Sequence, residues 1–368
     1  MRNALHRHWS SIPAGIVLSV ILIAFWSVNR DYLTRGPGSG ALFLENPLPA
    51  FGLMVFGAFV AASIAGEFAI KAPLTIEPII FALVGGVVAG AGAVIAGMSV
   101  YSVVLFNLAG VFTLPAFMIT KGWVYLVFMI GGGAVGSRLL LLTTVRLGRA
   151  TREISVPKSL NERNSRLVYY GLAVVFAVVM LVVFVLLAPP AQRVPAVLSM
   201  GLMVLLGLAA ERGTICMSSM LKELFISHSA YVWRSILFTI MCLALLYQLG
   251  LQLSLYAPIE ADNSVTAPAL LAVGSFFMGF GFIFADGCFI GSLWKTGQGN
   301  VVNVAGLVGL VVGIGAMQML GRFVPLPVSA SSIANRLASV ADSWLLVAVL
   351  WGLGLAALIV FRRKRYRY

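Results

Sequence analysis

Residues 280–292 read FGFIFADGCFIGS, an apolar stretch that ends on an acid, a glycine and a cysteine. A lipid-facing helix gains nothing from an acid, and glycine weakens a helix. Irregular backbone at membrane depth is tolerated only where it faces protein or a water-filled cavity. We therefore interpret DGCFIG as the turn of a broken helix, with Gly287 and Gly291 at the point where the helix stops.

The composition predicts a membrane protein. Of the 368 residues, 60% are hydrophobic and only 10% are charged. Soluble domains contain about 25% charged residues, so we expect an all-α polytopic membrane protein in contact with a lipid bilayer. The formal net charge of +13 is concentrated in basic segments between and after the apolar runs. Such segments are typical topology signals, and we expect no nucleic acid as a partner.

Ten apolar runs are long enough to cross about 30 Å of hydrocarbon, which takes roughly 20 helical residues. They lie at 12–28, 51–70, 78–97, 123–145, 167–188, 195–212, 234–254, 267–286, 301–321 and 343–361. The first run is followed by no small-x-small cleavage site, so we expect an uncleaved helix. Three interrupted segments, 99–119, 214–230 and 288–299, can form half-helices or re-entrant loops, and the count changes if one of them crosses fully.

Charge and spans together divide the chain into four parts. We expect a first transmembrane half at 1–145, a basic cytoplasmic loop at 146–166, a second transmembrane half at 167–361 and a basic cytoplasmic tail at 362–368. Ten crossings put both termini on one side of the membrane. The positive-inside rule makes that side the cytoplasm.

An internal repeat relates the two halves. Residues 84–99, VGGVVAGAGAVIAGMS, align without gaps to 273–288, VGSFFMGFGFIFADGC. A second pair, GLMVFG from residue 52 and GLMVLLG from residue 201, leaves room in the second half for one additional crossing at 234–254. That crossing would invert the Ser99 segment relative to the Cys288 segment, and inverted segments form the substrate sites of many transporters. We interpret most of the repeat glycines as positions of close helix packing.

Two motifs in the second half combine glycine, charge and a cysteine. GLAAERGTICMSSMLKEL begins at residue 207, and its cysteine follows an acid and a glycine, as it does in FADGC. Backbone N–H groups at the start of a half-helix, next to a cation, favour an anion, and a thiol offers a soft contact and a weak donor. We expect a substrate path formed by Ser99, Glu211, Arg212, Gly213, Cys216, Asp286, Gly287, Cys288, Gly291 and Lys295.

The charged members of this set have two interpretations. In the first, Arg212 or Lys295 supplies positive potential at the mouth of the path. In the second, all four charged residues lie at the cytoplasmic interface and extend into the lipid headgroups: Glu211, Arg212, Asp286 and Lys295. Cys242 lies in LFTIMCLALLYQLG without glycine or charge, so we interpret it as a small apolar residue. Three cysteines form no disulfide framework, and without C-x-x-C, a metal-ligand pair or a P-loop we expect no cofactor.

The two motifs resemble those of the YeeE/YedE family of prokaryotic inner-membrane sulfur-compound transporters. LLGLAAERGTICMSSMLKEL contains the pattern [EQ]-R-x-x-x-C, and GFGFIFADGCFIGSLWKTGQGN contains G-x-G-x5-G-C-x-x-G. The first half, from GLMVFGAFVAASIAGEF to GGGAVGSRL, is similar to the long YedE-like branch. The resemblance covers about 50–145 and 195–320.

This resemblance implies uptake of thiosulfate or a related sulfur or selenium species across the inner membrane, with a cytosolic sulfur-carrier protein as a candidate partner, and no enzymatic activity. It implies that Cys216 and Cys288 pass the anion on through S–H contacts, with Ser99 in place of a further family cysteine. The alternative is a membrane-embedded redox protein in which Cys216 and Cys288 form a reversible disulfide. A structural subunit of a larger complex is a third interpretation.

Overall fold

The computed structural model describes residues 11–28, 47–73, 75–96, 123–147, 193–227, 231–253 and 268–323, and seven single residues, Gly171, Val175, Val178, Val179, Val182, Gly352 and Leu355. Nearly all of the described residues are helical. The first half contributes α1 (Ser11–Val28), α2 (Pro47–Ala65), α3 (Glu77–Ile95) and α4 (Trp123–Leu147). The second half contributes α5 (Arg193–Arg212), α6 (Met217–Lys222) with a π-helical turn (Glu223–Ser227), α7 (Tyr231–Gln252), α8 (Pro268–Phe284), α9 (Phe289–Gly297) and α10 (Val301–Phe323).

Within the described part of the chain, five helical runs are long and apolar enough to cross a membrane. They are Glu77–Ile95, Val124–Thr143, Val197–Ile226, Ala269–Gly297 and Val301–Leu320. Three shorter apolar helices accompany them, at Pro13–Phe25, Gly52–Ala65 and Val232–Leu243. The prediction of a helical membrane protein is confirmed. The number of ten crossings stays a prediction.

Several predicted segments fall outside the described residues. The candidate half-helix 99–119 does so entirely, and the predicted spans 167–188 and 343–361 do so for most of their length. The described helices expose large apolar side chains, among them Val127 at 58% and Leu142 at 60%. Exposed apolar surface of this kind suits contact with lipid.

Helices α3 and α8 pack closely through the glycines of the repeat. A Cβ atom at Gly85 would lie 2.8 Å from the carbonyl oxygen of Gly281, and one at Gly92 would lie 2.6 Å from that of Gly274. Since the earlier glycine of each helix faces the later glycine of the other, the two helices run antiparallel. Small residues let helix backbones approach this closely, which agrees with the packing interpretation.

The remaining long helices are arranged around this pair. Helix α10 packs against α3, α4 packs against α8, α2 packs against α5, and α7 packs against α1. A single pair of bridging residues, Lys71 and Asn300, joins the loop after α2 to the start of α10, and no strand forms among the described residues. The short helices α6 and α9 lie inside this frame, and most of their residues are buried.

Candidate functional site: a pair of thiols between two half-helices

Two interrupted helices carry the two cysteine motifs. Residues 213–216 separate α5 from α6, and residues 285–288 separate α8 from α9. In each interruption a residue other than glycine, two positions before the cysteine, adopts a left-handed backbone: Thr214 with φ of 51° and Asp286 with φ of 56°. Such angles are uncommon for residues other than glycine. Among those residues, Asn and Asp adopt them most often. The helix break predicted at DGC is therefore present, and ERGTIC contains a matching one.

Gly291 has a different place from the one expected from the sequence. It is the third residue of α9 and does not lie where a helix stops, whereas Gly287 lies in the interruption. A Cβ atom at position 291 would overlap the Cys216 sulfur and would lie 3.3 Å from the Cys288 sulfur. The absence of a side chain at Gly291 therefore makes room for the thiol of the other motif. At Gly287 a Cβ atom would lie 2.9 Å from Asn303 Nδ2.

The structure brings Cys216 and Cys288 together. Their Sγ atoms lie 3.8 Å apart, and the two side chains are 0% and 4% exposed. Cys216 is the N-cap residue of α6, and Cys288 is the N-cap residue of α9. The backbone N–H groups of Met217 and Gly291 both donate to Cys288 Sγ at 3.3 Å. The N-termini of two half-helices thus converge on one sulfur atom.

Hydrogen bonds orient the thiol of Cys288 and join the two motifs. Cys288 Sγ accepts from two N–H groups and donates its own hydrogen to Cys216 Sγ. Trp294 of α9 donates through Nε1 to the carbonyl oxygen of Ile215 at 2.9 Å. The Ser218 hydroxyl of α6 donates to the carbonyl oxygen of Phe282 at 2.7 Å. Trp294 therefore fastens α9 to the first interruption, and Ser218 fastens α6 to the last turns of α8.

Arg212 lies in the protein interior, where its side chain is 0% exposed. It forms an ion pair with the adjacent Glu211 and a second one with Glu67 at 2.7 Å. Gln298 Nε2 donates to the Glu211 carboxylate at 2.9 Å. This placement does not fit the alternative in which Arg212 extends into lipid headgroups. Two carboxylates face one guanidinium, so Glu67, Glu211 and Arg212 together carry net negative formal charge.

Asp286 lies between two lysines. Lys222, at the end of α6, forms an ion pair with its carboxylate. Lys295 Nζ lies 3.4 Å from Asp286 Oδ2 and donates to the Asp286 carbonyl oxygen at 2.5 Å. The side chains of Lys222, Asp286 and Lys295 are 23%, 37% and 15% exposed, so water reaches the cluster only in part. Two ammonium groups face one carboxylate, and the cluster carries net positive charge.

Two expected residues stand apart from this geometry. Ser99 lies outside the described residues. Cys242 lies in α7 and is 9% exposed, which agrees with its interpretation as a small apolar residue. No group of three or more His, Cys, Asp or Glu side chains that could hold a metal ion occurs within the described ranges.

Sequence reasoning missed Glu67, Lys222, Gln298 and Asn303, each of which contacts a predicted site residue. A signal for Lys222 was present, because it follows Cys216 by six positions much as Lys295 follows Cys288 by seven. Asn303 is fully buried and donates through Nδ2 to the Asp286 carbonyl oxygen at 3.2 Å. Neither Glu67 nor Asn303 stands in a motif that marks its partner, so no comparable signal exists for them.

Comparison with known proteins relates this chain to sulfur transport and to named transporters. The family model described as sulphur transport matches residues 212–368, which include both cysteines of the pair. The probable transporter YedE of Salmonella typhimurium is 24% identical over 326 residues, which cover 80% of this chain and 77% of that protein. The probable transporter YedE of Escherichia coli matches with the same identity and coverage.

A third relative covers a shorter region. The thiosulfate transporter TsuA of Spirochaeta thermophila is 28% identical over 116 residues, which cover 30% of this chain and 32% of that protein. The resemblance to the YeeE/YedE family read from the two motifs is confirmed by these matches. All three relatives carry transporter names, in agreement with a chain that acts in transport and is not an enzyme.

Proposed function

We propose that this chain carries a small sulfur-containing anion, such as thiosulfate or a related sulfur or selenium species, into the cell through a path lined by Cys216 and Cys288. The observation that carries the proposal is the 3.8 Å contact of two buried thiols at the N-termini of two half-helices. Irregular backbone inside a membrane protein marks a protein-lined or water-filled cavity, and helix N-termini favour anions. The relationship to sulfur transporters supports the same substrate class.

The thiols suit an anion that has both oxygen and sulfur atoms. An S–H group donates a weak hydrogen bond and presents a polarisable surface, so it contacts sulfur without holding it tightly. The two sulfur atoms lie 3.8 Å apart, so an anion that leaves one thiol is already within reach of the next. Weak successive contacts are what a transport path needs, because a tightly held ion would not leave.

The cluster of Lys222, Asp286 and Lys295, called the lysine cluster, supplies the positive charge that would attract the anion. Asp286 is separated from Cys288 by one residue, and Lys222 and Lys295 hold its carboxylate. An anion that approaches the thiols meets net positive charge from these three side chains. Glu211, Arg212 and Gly213 act in the proposal by shaping the first interruption, and Gly287 and Gly291 by making room in the second. Ser99 would add a hydroxyl donor from the first half.

Reciprocal glycine contacts support an inverted pseudo-repeat of the two halves. In the gap-free alignment Gly85 corresponds to Gly274, and Gly92 corresponds to Gly281. Gly85 faces Gly281 and Gly92 faces Gly274, so exchanging the halves turns one contact into the other.

The contacts of α10 with α3 and of α4 with α8 are related by the same exchange of the two halves. Gly313 of α10 faces Val87 of α3, and Gly132 of α4 faces Phe276 of α8. Val87 and Phe276 are aligned residues of the repeat. On this basis we extend the proposal to about ten crossings in two halves, 1–145 and 167–361.

The cellular setting of the proposal follows from charge and relatives. The relatives YedE and TsuA come from bacteria, so we place the chain in the inner membrane of a prokaryotic cell. The basic loop 146–166 and the basic tail 362–368 place both termini in the cytoplasm by the positive-inside rule. A cytosolic sulfur-carrier protein would receive the anion there.

Uptake of labelled thiosulfate into proteoliposomes that hold the purified chain tests this proposal. We expect saturable uptake that a thiol-blocking reagent stops, with sulfate a weaker competitor than thiosulfate because it lacks a sulfur atom that can contact the thiols. Selenite as a second competitor tests whether the chain also accepts a selenium species. Folded protein that takes up none of these anions would overturn the proposal and would favour a structural subunit.

A further inference from the structure

We infer that Cys216 and Cys288 are a site of reversible oxidation, at which a peroxide converts the two thiols into a disulfide. The two sulfur atoms are 3.8 Å apart and belong to free cysteines. A disulfide bond is about 2.05 Å long, so the sulfur atoms must approach each other by a little less than 2 Å. The inferred disulfide differs from a redox carrier, since no electrons cross the membrane.

The local backbone leaves room for this approach. Both cysteines lie in interruptions between helices, and Cys216 has an extended backbone with φ of −154° and ψ of 122°. Rotation about the Cα–Cβ bond therefore moves each sulfur without breaking a backbone–backbone hydrogen bond, and at Cys288 it disturbs only the N–H contacts from Met217 and Gly291. Gly291 has no side chain, so no Cβ atom of α9 stands between the two sulfur atoms as they approach.

The chemistry balances with one peroxide for each pair of thiols. One thiol loses its proton and attacks an oxygen atom of hydrogen peroxide, which gives a sulfenic acid and water. The second thiol attacks the sulfur of the sulfenic acid, forms the S–S bond and releases a second water. The two thiols lose two electrons and two protons, and the peroxide is reduced to two molecules of water.

The environment of the pair favours a peroxide over a larger or charged oxidant. The two cysteines are 0% and 4% exposed and lie in the apolar core with Met220, Ile290 and Trp294. Hydrogen peroxide is uncharged and close to water in size, so it needs less room and less desolvation to reach the buried pair than a larger oxidant does. Cys242 is a control within the same chain, because it is a buried thiol in another helix.

The consequence for transport depends on the function proposed above. A disulfide has no S–H group, so the oxidised pair offers an anion no thiol donor. We expect uptake of thiosulfate to fall at least tenfold after oxidation and to return on reduction with dithiothreitol. A cell exposed to peroxide would thereby stop import through this chain without making new protein.

The experiment uses the full-length chain in proteoliposomes, treated with hydrogen peroxide and then digested for mass spectrometry. The expected result is a linked peptide pair that contains Cys216 and Cys288, two mass units lighter than the sum of the reduced peptides, and absent after dithiothreitol. Cys242→Ala should form the same linked pair. Cys216→Ser and Cys288→Ser should form none and should leave a sulfenic or sulfinic acid on the remaining thiol.

Two readouts separate this inference from the proposed function. Peroxide treatment that yields only sulfinic or sulfonic acids on the wild-type cysteines, or a linked pair that includes Cys242, would overturn the inference. Reduced protein that takes up no thiosulfate would overturn the proposed function, while the mass measurement would still decide the disulfide. Full uptake by protein in which the linked pair is complete would show that the thiols do not line the path.

Discussion

Gly291 of the second motif lies directly against the thiol of Cys216 in the first, at a distance that leaves no space for a methyl group. The glycine that resembles a helix breaker in the sequence is therefore a packing position within a helix. Gly291 is part of helix α9, and the place of its missing side chain is taken by the sulfur of Cys216, the N-cap residue of α6. The contact between the two thiols depends on this residue.

Gly291→Ala should separate the thiols and lower thiosulfate uptake. The added methyl group forces the Cys216 sulfur away from Cys288, and overpacking of this kind costs about 1–3 kcal/mol. Loss of one hydrogen bond worth about 1 kcal/mol corresponds to a several-fold fall in the uptake rate. Gly201→Ala in α5 is the matched control, because nothing lies within 4 Å of a Cβ atom there. Equal uptake by the two variants would contradict the assigned role of Gly291.

Removal of the thiol itself should have a larger effect. Cys288→Ala takes away the sulfur that accepts from Met217 and Gly291 and donates to Cys216, so we expect uptake to be abolished while the protein remains in the membrane. Cys242→Ala should leave uptake nearly unchanged. Uptake by proteoliposomes, normalised to the amount of inserted protein, measures both. Undiminished uptake by Cys288→Ala would contradict the proposal that Cys288 lines the transport path.

The sequence predicted the features of this site that local patterns encode. Apolar length marked the helices, and the acid, glycine and cysteine at 286–288 marked the helix break, because each of these signals lies in one continuous stretch of the chain. The contacts that complete the site join residues far apart in sequence. Lys222 pairs with Asp286 across 64 residues, and Arg212 pairs with Glu67 across 145. Charge alone does not select one partner among several at such distances.

The left-handed residues show the same limit. Glycine is the residue expected at a positive φ, so attention falls on Gly213 and Gly287 in the two interruptions. The positive angles belong instead to their neighbours Thr214 and Asp286. Tertiary contacts stabilise this choice, since Lys295 and the fully buried Asn303 both donate to the Asp286 carbonyl oxygen.

Asp286→Asn tests the lysine cluster without disturbing the backbone, because asparagine tolerates a left-handed conformation well. The substitution leaves the ammonium groups of Lys222 and Lys295 without their carboxylate. Hydrogen bonds to charged groups contribute about 1.5–3 kcal/mol, and partial exposure of this cluster reduces that to about 1–2 kcal/mol. We expect a lower thermal unfolding midpoint in detergent.

A double substitution separates the ion pair from other effects at Asp286. In Asp286→Asn combined with Lys222→Met, one of the two uncompensated charges is gone, so the loss of stability should be smaller than the sum of the single losses. A coupling of at least about 0.5 kcal/mol is expected for residues in contact. Strictly additive losses would show that Lys222 and Asp286 do not interact in solution.

Arg212→Met should be the most destabilising of these substitutions. The guanidinium is fully buried between Glu211 and Glu67, and its removal leaves two carboxylates without their cation. Breaking a buried ion pair costs about 3–5 kcal/mol, so we expect little folded protein in the membrane fraction. Arg138→Met in α4 is the matched control, because Arg138 has an exposed position. Adding Glu211→Gln to Arg212→Met removes one orphaned charge and should restore part of the yield, whereas a double variant no better than Arg212→Met would place the role of Arg212 outside this ion pair.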